Sequence, residues 1–166
     1  MSRFFSLIYS AALLLPLQSN AAILEGRVVG VTDGDTITLL DSTDTQYKIR
    51  LSGIDAPESK QAFGQVSKRS LSELVYDKRV RVDWEKQDRY GRIVGKILVN
   101  GTDANLEQVK RGLAWHYIKY QHEQPVEDRL SYSKAETRAQ QQHAGLWQDN
   151  KPIAPWDWRR GKKKSP

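Results

Sequence analysis

The sequence predicts a β-barrel with peripheral helices, an α+β fold for which the OB-fold, with a five-stranded barrel and about three helices, is the leading candidate. Three observations predict this class. Three strand-like segments joined by short turns come first, one helical segment follows them, and two further strand-like segments precede a helical remainder. The order of these segments along the chain therefore indicates a small barrel.

The first three segments predict a meander of antiparallel strands. Residues 23–32 are rich in β-branched side chains and contain two glycines, which is typical of a long, bent strand. Residues 33–35, with the sequence Asp-Gly-Asp, turn the chain. Residues 36–40 and 46–51 then form the second and third predicted strands, with a polar turn between them.

The middle of the chain predicts one helix and two more strands. Residues 60–78 place apolar side chains on roughly one face of a helix. Residues 80–84 alternate between apolar and polar side chains, as expected of a half-buried strand. After a polar turn, residues 93–99 complete the five predicted barrel strands.

Two further helices are predicted after the last strand. Thr102 or Asp103 can cap a short helix that extends to Arg111, and Gly112 provides its left-handed end. Residues 125–144 have the pattern of a longer helix. Its side chains expected to face the core are Leu130, Tyr132, Ala135 and Ala139.

The first residues differ in composition from the rest of the chain. Arg3 gives a positive start, residues 4–17 are nearly all apolar, and residues 19–21 are small. This pattern predicts a signal peptide at residues 1–21, cut after Ala21, and hence an exported protein, secreted or periplasmic. A membrane anchor is the alternative, but the apolar run is shorter than the roughly 20 residues that a spanning helix needs.

The predicted domain, residues 22–148, is followed by a basic tail at residues 149–166. The whole chain has 26 Lys and Arg against 20 Asp and Glu, a net charge of +6, which permits polyanionic partners, nucleic acid above all. The prolines, tryptophans and basic run of the tail predict a flexible segment that adds attraction to phosphate. The chain has no cysteine, so disulfides and thiolate metal sites are excluded.

Two carboxylates follow strand ends that can meet in a meander. Asp35 lies between the first two predicted strands, and Asp55 lies just beyond the third. With a backbone carbonyl from the Asp55-Ala56 bend and waters, they would suit a hard cation such as Ca²⁺. No histidine spacing favours Zn²⁺.

Each of these residues also has an ordinary structural explanation. Asp and Gly are common turn residues, so the alternative for Asp35 is a plain turn. Arg50 could be a surface arginine on a strand, and Glu58 a solvated acid or the cap of the next helix. Arg92, directly after a Tyr-Gly turn, could be a hairpin charge.

Three motifs occur in one order along the chain: Val31-Thr-Asp-Gly-Asp-Thr36, Arg50-Leu-Ser-Gly-Ile-Asp-Ala-Pro-Glu58 and Asp88-Arg-Tyr-Gly-Arg92. In this order and spacing the sequence resembles the staphylococcal nuclease family, over essentially residues 23–147. The resemblance implies an OB-fold and a Ca²⁺-dependent phosphodiesterase, a sequence-nonspecific endonuclease that acts on DNA and RNA. It also implies cleavage at the 5′ oxygen, which leaves 3′-phosphate products.

The resemblance implies a metal site and a catalytic set. Asp35 and Asp55 match the family's metal carboxylates, and Ala56 matches the residue that offers its backbone carbonyl, where the family usually has Thr. The implied catalytic residues are Glu58, which activates or orients the attacking water, and the two arginines that grip the scissile phosphate, Arg50 and Arg92.

The resemblance also implies contacts to the neighbouring nucleotide, and this sequence matches them only in part. Arg89 and Tyr90 fall where the family has a lysine and a tyrosine, and Tyr120 matches a tyrosine near the base. Ile118 stands where the founding member has another tyrosine, so base stacking is expected to be weaker or supplied differently.

Two other classes of function compete with the nuclease. An OB-fold module could bind nucleic acid without catalysis, but it would need none of the carboxylates. A calcium-stabilised structural domain would not explain why Arg50 and Arg92 accompany the acids. We therefore expect a monomeric nuclease, with DNA and RNA as partners and no membrane association after signal cleavage.

Overall fold

The computed structural model describes residues 22–162, so the predicted signal peptide and the last four residues lie outside the described part. The strands are β1 (Ala22–Asp33), β2 (Thr36–Leu40), β3 (Gln46–Leu51), β4 (Ile54–Asp55), β5 (Arg79–Gln87), β6 (Ile93–Val99), β7 (Thr102–Asp103) and β8 (Trp115–His116). The helices are α1 (Gly64–Val75), α2 (Ala104–Lys110), α3 (Val126–Gln141) and α4 (Pro155–Lys162), with 3₁₀ turns at Ile118–Glu123 and Gly145–Gln148.

The five long strands form a closed barrel, which confirms the predicted fold class. The sheet order is β3-β2-β1-β5-β6-β7, and a parallel pairing of β3 with β6 closes it. All other neighbours in this sheet are antiparallel. The short strands β4 and β8 pair with each other beside the barrel. The predicted meander of three strands and the later hairpin are therefore both present.

The core lies inside the barrel and beneath the helices. In β2, Ile37 and Leu39 are fully buried because alternate side chains of a strand share one face. In α1, Leu71 and Val75 are fully buried against the same cluster, one turn apart on one face. Among the described helices, none is long and apolar enough to cross a membrane.

The helix after the barrel begins and ends where the sequence predicts. The Asp103 side chain accepts a hydrogen bond from the Leu106 amide and so caps α2. Gly112, which has a φ of 64°, follows the helix in the left-handed conformation. The core face predicted for α3 is partly wrong. Tyr132, Ala135 and Ala139 are buried, but Leu130 is 55% exposed on the far side of the helix.

The tail differs from the flexible segment that the sequence predicts. Its residues 155–162 form α4, which lies against the domain. Trp156 stacks on Tyr117 with nearly parallel rings 5.3 Å apart and meets the edge of Trp115 at 5.6 Å. Gln61 also donates a hydrogen bond to the Ile153 carbonyl at 2.5 Å. Burial of aromatic surface offsets the entropy lost in ordering this segment.

Candidate active site

Two loops bring the predicted carboxylates together at one end of the barrel. The turn between β1 and β2 contains Asp35, whose backbone carbonyl accepts a hydrogen bond from the Leu51 amide at 2.8 Å. The amide of Ala56, in the loop after β4, donates to Asp35 Oδ2 at 2.6 Å. These bonds hold the loop that contains Asp55 against the turn that contains Asp35.

Arg50 links both carboxylates to the loop backbone. Its Nη2 lies 2.8 Å from Asp55 Oδ1 and 3.1 Å from Asp35 Oδ2. Its Nη1 donates to the carbonyls of Leu51 and Ile54, at 2.9 and 3.0 Å. The guanidinium therefore organises the loop as well as the charges. Only a planar fork of several donors can make this set of contacts.

The two carboxylates are almost completely removed from water. Asp35 is 5% exposed and Asp55 is 1% exposed. Burial raises the pKa of Asp35 to about 7, although Arg50 opposes the rise, while Asp33 and Asp55 add to it. Asp33, Asp35 and Asp55 thus place more negative charge here than Arg50 alone balances.

A second arginine, which the sequence prediction missed, adds positive charge beside these acids. Arg159 Nη2 lies 2.7 Å from Asp55 Oδ2, and its Nη1 lies 2.8 Å from Glu58 Oε1 and 3.3 Å from Asp55 Oδ1. Burial disfavours the charged guanidinium, but the hydrogen bonds to Asp55 and Glu58 outweigh it and raise the pKa of Arg159. The available signal was Trp156, an aromatic residue that is out of place in a solvated tail.

Arg92 and the residues before it lie on the hairpin between β5 and β6. The pairing of Arg50 with Val94 brings this hairpin end beside the third strand. Arg92 itself pairs with Asp88, at 2.7 Å, rather than with the acids of the site. Arg89 and Arg92 both lie near the exposed Tyr90 ring, at 4.9 and 5.6 Å from its centroid. The structure thus brings the other four predicted residues together and leaves Arg92 on the neighbouring turn.

Tyr120 lies on the 3₁₀ turn at Ile118–Glu123 and is exposed. Its ring meets the edge of Tyr117 at 4.9 Å, and Lys86 and Lys119 lie 5.9 and 5.6 Å from its centroid. Ile118 is also exposed. An aromatic ring beside two lysines is able to stack a base near a phosphate, so the role predicted for Tyr120 stays open to test.

Gln108 and Gly34 position the turn of Asp35, and sequence reasoning missed both roles. The buried Gln108 Nε2 donates to the Gly34 carbonyl at 2.9 Å and to the Ser67 carbonyl at 3.0 Å. A Cβ on Gly34 would lie 1.9 Å from Ser67 Oγ and 2.7 Å from the Ala56 Cβ. The turn therefore packs tightly on α1 and on the loop after β4.

Two carboxylates and one backbone carbonyl supply oxygen donors of the kind that a hard cation prefers. Within residues 22–162 no group of three or more His, Cys, Asp or Glu side chains is arranged to hold a metal ion. Asp35 and Asp55 nevertheless contact one common atom, Arg50 Nη2. Asp55 also binds the positive charge of Arg159. Two buried carboxylates with the adjacent Ala56 carbonyl match the chemistry of Ca²⁺ ligation, in which waters complete the shell.

Comparisons with known proteins show which family the chain resembles. The family described as "Staphylococcal nuclease homologue" matches residues 48–149. The chain is 47% identical to a protein of Haemophilus influenzae named "Uncharacterized endonuclease", over 82% of this chain and 74% of that relative. A protein of Escherichia coli with the same name is 43% identical, over 85% and 88% of the two chains. A "Micrococcal nuclease" of Shigella flexneri is 36% identical, over 93% and 91%.

Proposed function

The chain belongs to the staphylococcal nuclease homologue family, and on this premise we propose that it is an exported, Ca²⁺-dependent, sequence-nonspecific nuclease of DNA and RNA. One observation carries the proposal: Arg50 Nη2 bridges two buried carboxylates, Asp55 and Asp35, at 2.8 and 3.1 Å. A binding module without catalysis would need no buried acids, whose desolvation is costly.

In the proposed mechanism, Asp35, Asp55 and the Ala56 carbonyl would hold the cation. A bound Ca²⁺ supplies positive charge that stabilises the phosphate oxygens as negative charge develops on them. Arg92 presents a planar set of donors to the phosphate, and Arg50 adds its positive charge from its place beside the acids. Both arginines stabilise the transition state more than the ground state, because negative charge increases on the phosphate oxygens. Arg92 must exchange Asp88, its partner on the hairpin, for the phosphate.

Glu58 orients the attacking water and takes its proton, as a general base within one hydrogen bond of that water. The water oxygen bonds to phosphorus, the bond from phosphorus to the 5′ oxygen breaks, and the departing oxygen takes a proton from solvent. The products carry a 3′-phosphate and a 5′-hydroxyl. Arg89, Tyr90 and Tyr120 hold the neighbouring nucleotide. Their exposure supports this role: Arg89 and Tyr90 lie on the hairpin between β5 and β6, and Tyr120 lies on the 3₁₀ turn at Ile118–Glu123.

The proposed export rests on the composition of residues 1–21, which lie outside the described residues. The fold is compatible with cleavage after Ala21, because β1 begins at Ala22, which pairs with Trp84. Mass spectrometry of the protein recovered from the periplasm or the medium would test this. A product that retains the first 21 residues would contradict the proposal.

The activity is tested with the mature protein, plasmid DNA and RNA, in Ca²⁺ or in chelator. We expect degradation of both polymers only with Ca²⁺, and a loss of at least ~10²-fold in Asp35→Ala and in Arg92→Ala. The new ends should accept a 5′ label without prior phosphatase treatment, because they carry a 5′-hydroxyl. Binding without cleavage under every metal tried would refute the nuclease and favour a nucleic-acid-binding module.

A further inference from the structure

The strongest feature outside the predicted catalytic set is the contact of α4 with the acids. Arg159 makes three contacts of 2.7 to 3.3 Å with Asp55 and Glu58, residues that lie roughly a hundred positions earlier in the chain. Arg160, the next residue, instead pairs with Asp157 inside the same helix. The contact with the site therefore belongs to one side chain and not to the general positive charge of the tail.

The helix that presents Arg159 is fixed by aromatic packing. Trp156 stacks on Tyr117 with an interplanar angle of 2° and also meets Trp115. Trp115 in turn lies 4.3 Å from Trp147, in the smaller buried cluster beneath this part of the surface. The preceding residues Ala154 and Pro155 are buried. The helix is thus docked at a defined position, and Arg159 reaches the acids from it.

The guanidinium of Arg159 competes with a cation for one oxygen of Asp55, the Oδ2 that Arg50 leaves free. Arg159 Nη2 lies 2.7 Å from Asp55 Oδ2, and a Ca²⁺ ion bound to Asp55 at about 2.4 Å would face the guanidinium at close range. Like charges this close repel strongly where water is excluded, and Asp55 is 1% exposed. Arg159 is itself 41% exposed at its side chain, so it has a path to leave.

We propose that α4 is an autoinhibitory strap: Trp156 anchors the helix beside the site and Arg159 occupies the position of the cation, until metal binding displaces Arg159 and releases the helix. This inference rests on the proposed function, since it takes Asp55 as a cation ligand. The strap lowers the apparent cation affinity because only the fraction of molecules with the strap released can bind. The strap also keeps the positive charge of Arg159 beside Asp55 and Glu58 until a cation binds.

The first test measures Ca²⁺ affinity by calorimetry on the full mature chain and its variants. Arg159→Ala should bind Ca²⁺ about tenfold more tightly, as expected if the site of the unmodified protein is open about one-tenth of the time. Arg159→Lys should fall in between, because an ammonium keeps the charge but not the fork. Arg160→Ala is the matched control and should bind as the unmodified chain does. Equal affinities in Arg159→Ala and Arg160→Ala, or weaker binding in the former, would overturn the strap.

The second test follows α4 directly by hydrogen exchange in the unmodified mature chain. Its amides should exchange slowly without metal and faster at saturating Ca²⁺, and Trp156→Ala should make them fast in both conditions. Unchanged exchange of α4 on Ca²⁺ binding would refute displacement of the helix.

The outcomes separate this inference from the proposed function. Plasmid degradation at saturating Ca²⁺ tests the nuclease, whereas the ratio of the Ca²⁺ affinities tests the strap. Plasmid degradation with equal Ca²⁺ affinities of the unmodified chain and Arg159→Ala would refute only the strap. A difference between these affinities without degradation would refute only the nuclease. Failure of both the unmodified chain and Arg159→Ala to bind Ca²⁺ overturns the strap and the proposed Ca²⁺ dependence together.

Discussion

At the residue scale, Arg50 serves two purposes that a single lysine could not combine. It donates to two backbone carbonyls and contacts two buried carboxylates. The first pair of contacts shapes the loop, and the second balances charge. A lysine offers one point charge with rotatable donors, so it would leave some of these buried partners unsatisfied. Arg92 has a simpler position, since it pairs with Asp88 at a half-exposed turn.

This difference predicts that Arg50→Lys lowers both stability and activity, whereas Arg92→Lys lowers activity alone. Arg50→Lys should lose about 1–3 kcal/mol of unfolding free energy, because buried acceptors lose their donors, and also at least ~10²-fold in kcat/KM. Arg92→Lys should lose activity while its unfolding free energy changes by less than ~0.5 kcal/mol. Urea unfolding and plasmid cleavage measure the two quantities. Equal destabilisation by both substitutions would contradict the structural role of Arg50.

His116 provides a second prediction at this scale, one that concerns pH. It is buried, with Nε2 3.0 Å from Gln124 Oε1, and burial lowers its pKa below the ordinary 6.5 despite that hydrogen bond. The unfolded chain therefore binds a proton more readily than the folded protein. The contribution of His116 to stability should be complete above about pH 6.5 and be lost as pH falls below it.

The measurement is the change in unfolding free energy between pH 7.5 and pH 5, by urea denaturation. His116→Gln should lose less stability over this range than the unmodified chain, because glutamine does not titrate. The exposed His122 is the matched control, and His122→Gln should keep the full dependence. A steeper loss in His116→Gln than in the control would disprove the assignment.

The sequence predicted which residues form this site better than it predicted which side chains they contact. Asp35, Arg50 and Asp55 could be predicted because turn chemistry and strand order bring them to one end of a barrel. Arg159 could not, since its contact depends on where a helix some hundred residues later docks. The ion pair of Arg92 was also unpredictable. Asp88, four residues earlier on the same turn, binds the guanidinium that was expected to face the acids of the site.

At the element scale, the turn between β1 and β2 is positioned by packing from two directions. Gln108 of α2 holds the Gly34 carbonyl, and Ser67 of α1 lies against the Gly34 Cα. Asp35 follows directly, so a displacement of this turn moves a carboxylate of the site. Strand and helix periodicity predicts the elements but not such close approaches, which depend on three segments meeting.

Gly34→Ala should therefore damage both stability and cation binding. An added methyl group would overlap Ser67 Oγ at 1.9 Å, and overpacking of this kind costs about 1–3 kcal/mol. Gly30→Ala is the matched control, since its methyl group would meet Thr38 Oγ1 at an ordinary 3.4 Å. Thermal unfolding and Ca²⁺ calorimetry measure both effects. A normal Ca²⁺ affinity in Gly34→Ala would show that the turn adapts without moving Asp35.

The elements themselves were largely predictable, with exceptions that have physical causes. β6 spans Ile93–Val99, as predicted, because alternation and flanking turns define it. α1 begins at Gly64 rather than at residue 60 because the preceding Phe63 adopts a left-handed backbone, with a φ of 64°. The tail was predicted to be flexible because its basic charge suggested solvation. In the structure, the stacking of Trp156 on Tyr117 docks it instead.

At the scale of the whole molecule, the barrel is closed without any covalent crosslink. The chain has no cysteine, and the closing pair of β3 and β6 joins strands that are far apart in sequence. Near this closure lie Arg50 and two buried carboxylates, Asp35 and Asp55. A bound cation would offset the repulsion between the two carboxylates and join the turn between β1 and β2 to β4 through one centre. Cation binding at the site should therefore stabilise the whole fold and not only the active loop.

Ca²⁺ at about one hundred times its Kd should add about 2.7 kcal/mol to the unfolding free energy. For a domain of this size, each kcal/mol corresponds to roughly 2–4 °C, so Tm should rise by about 5–11 °C and fall again with chelator. Asp35→Asn should abolish this increment. Asp77→Asn, which alters an exposed carboxylate paired with Arg27, should retain it. A Ca²⁺-dependent rise that survives Asp35→Asn would mean that the stabilising cation binds elsewhere, because the buried carboxylate would then contribute nothing to its affinity.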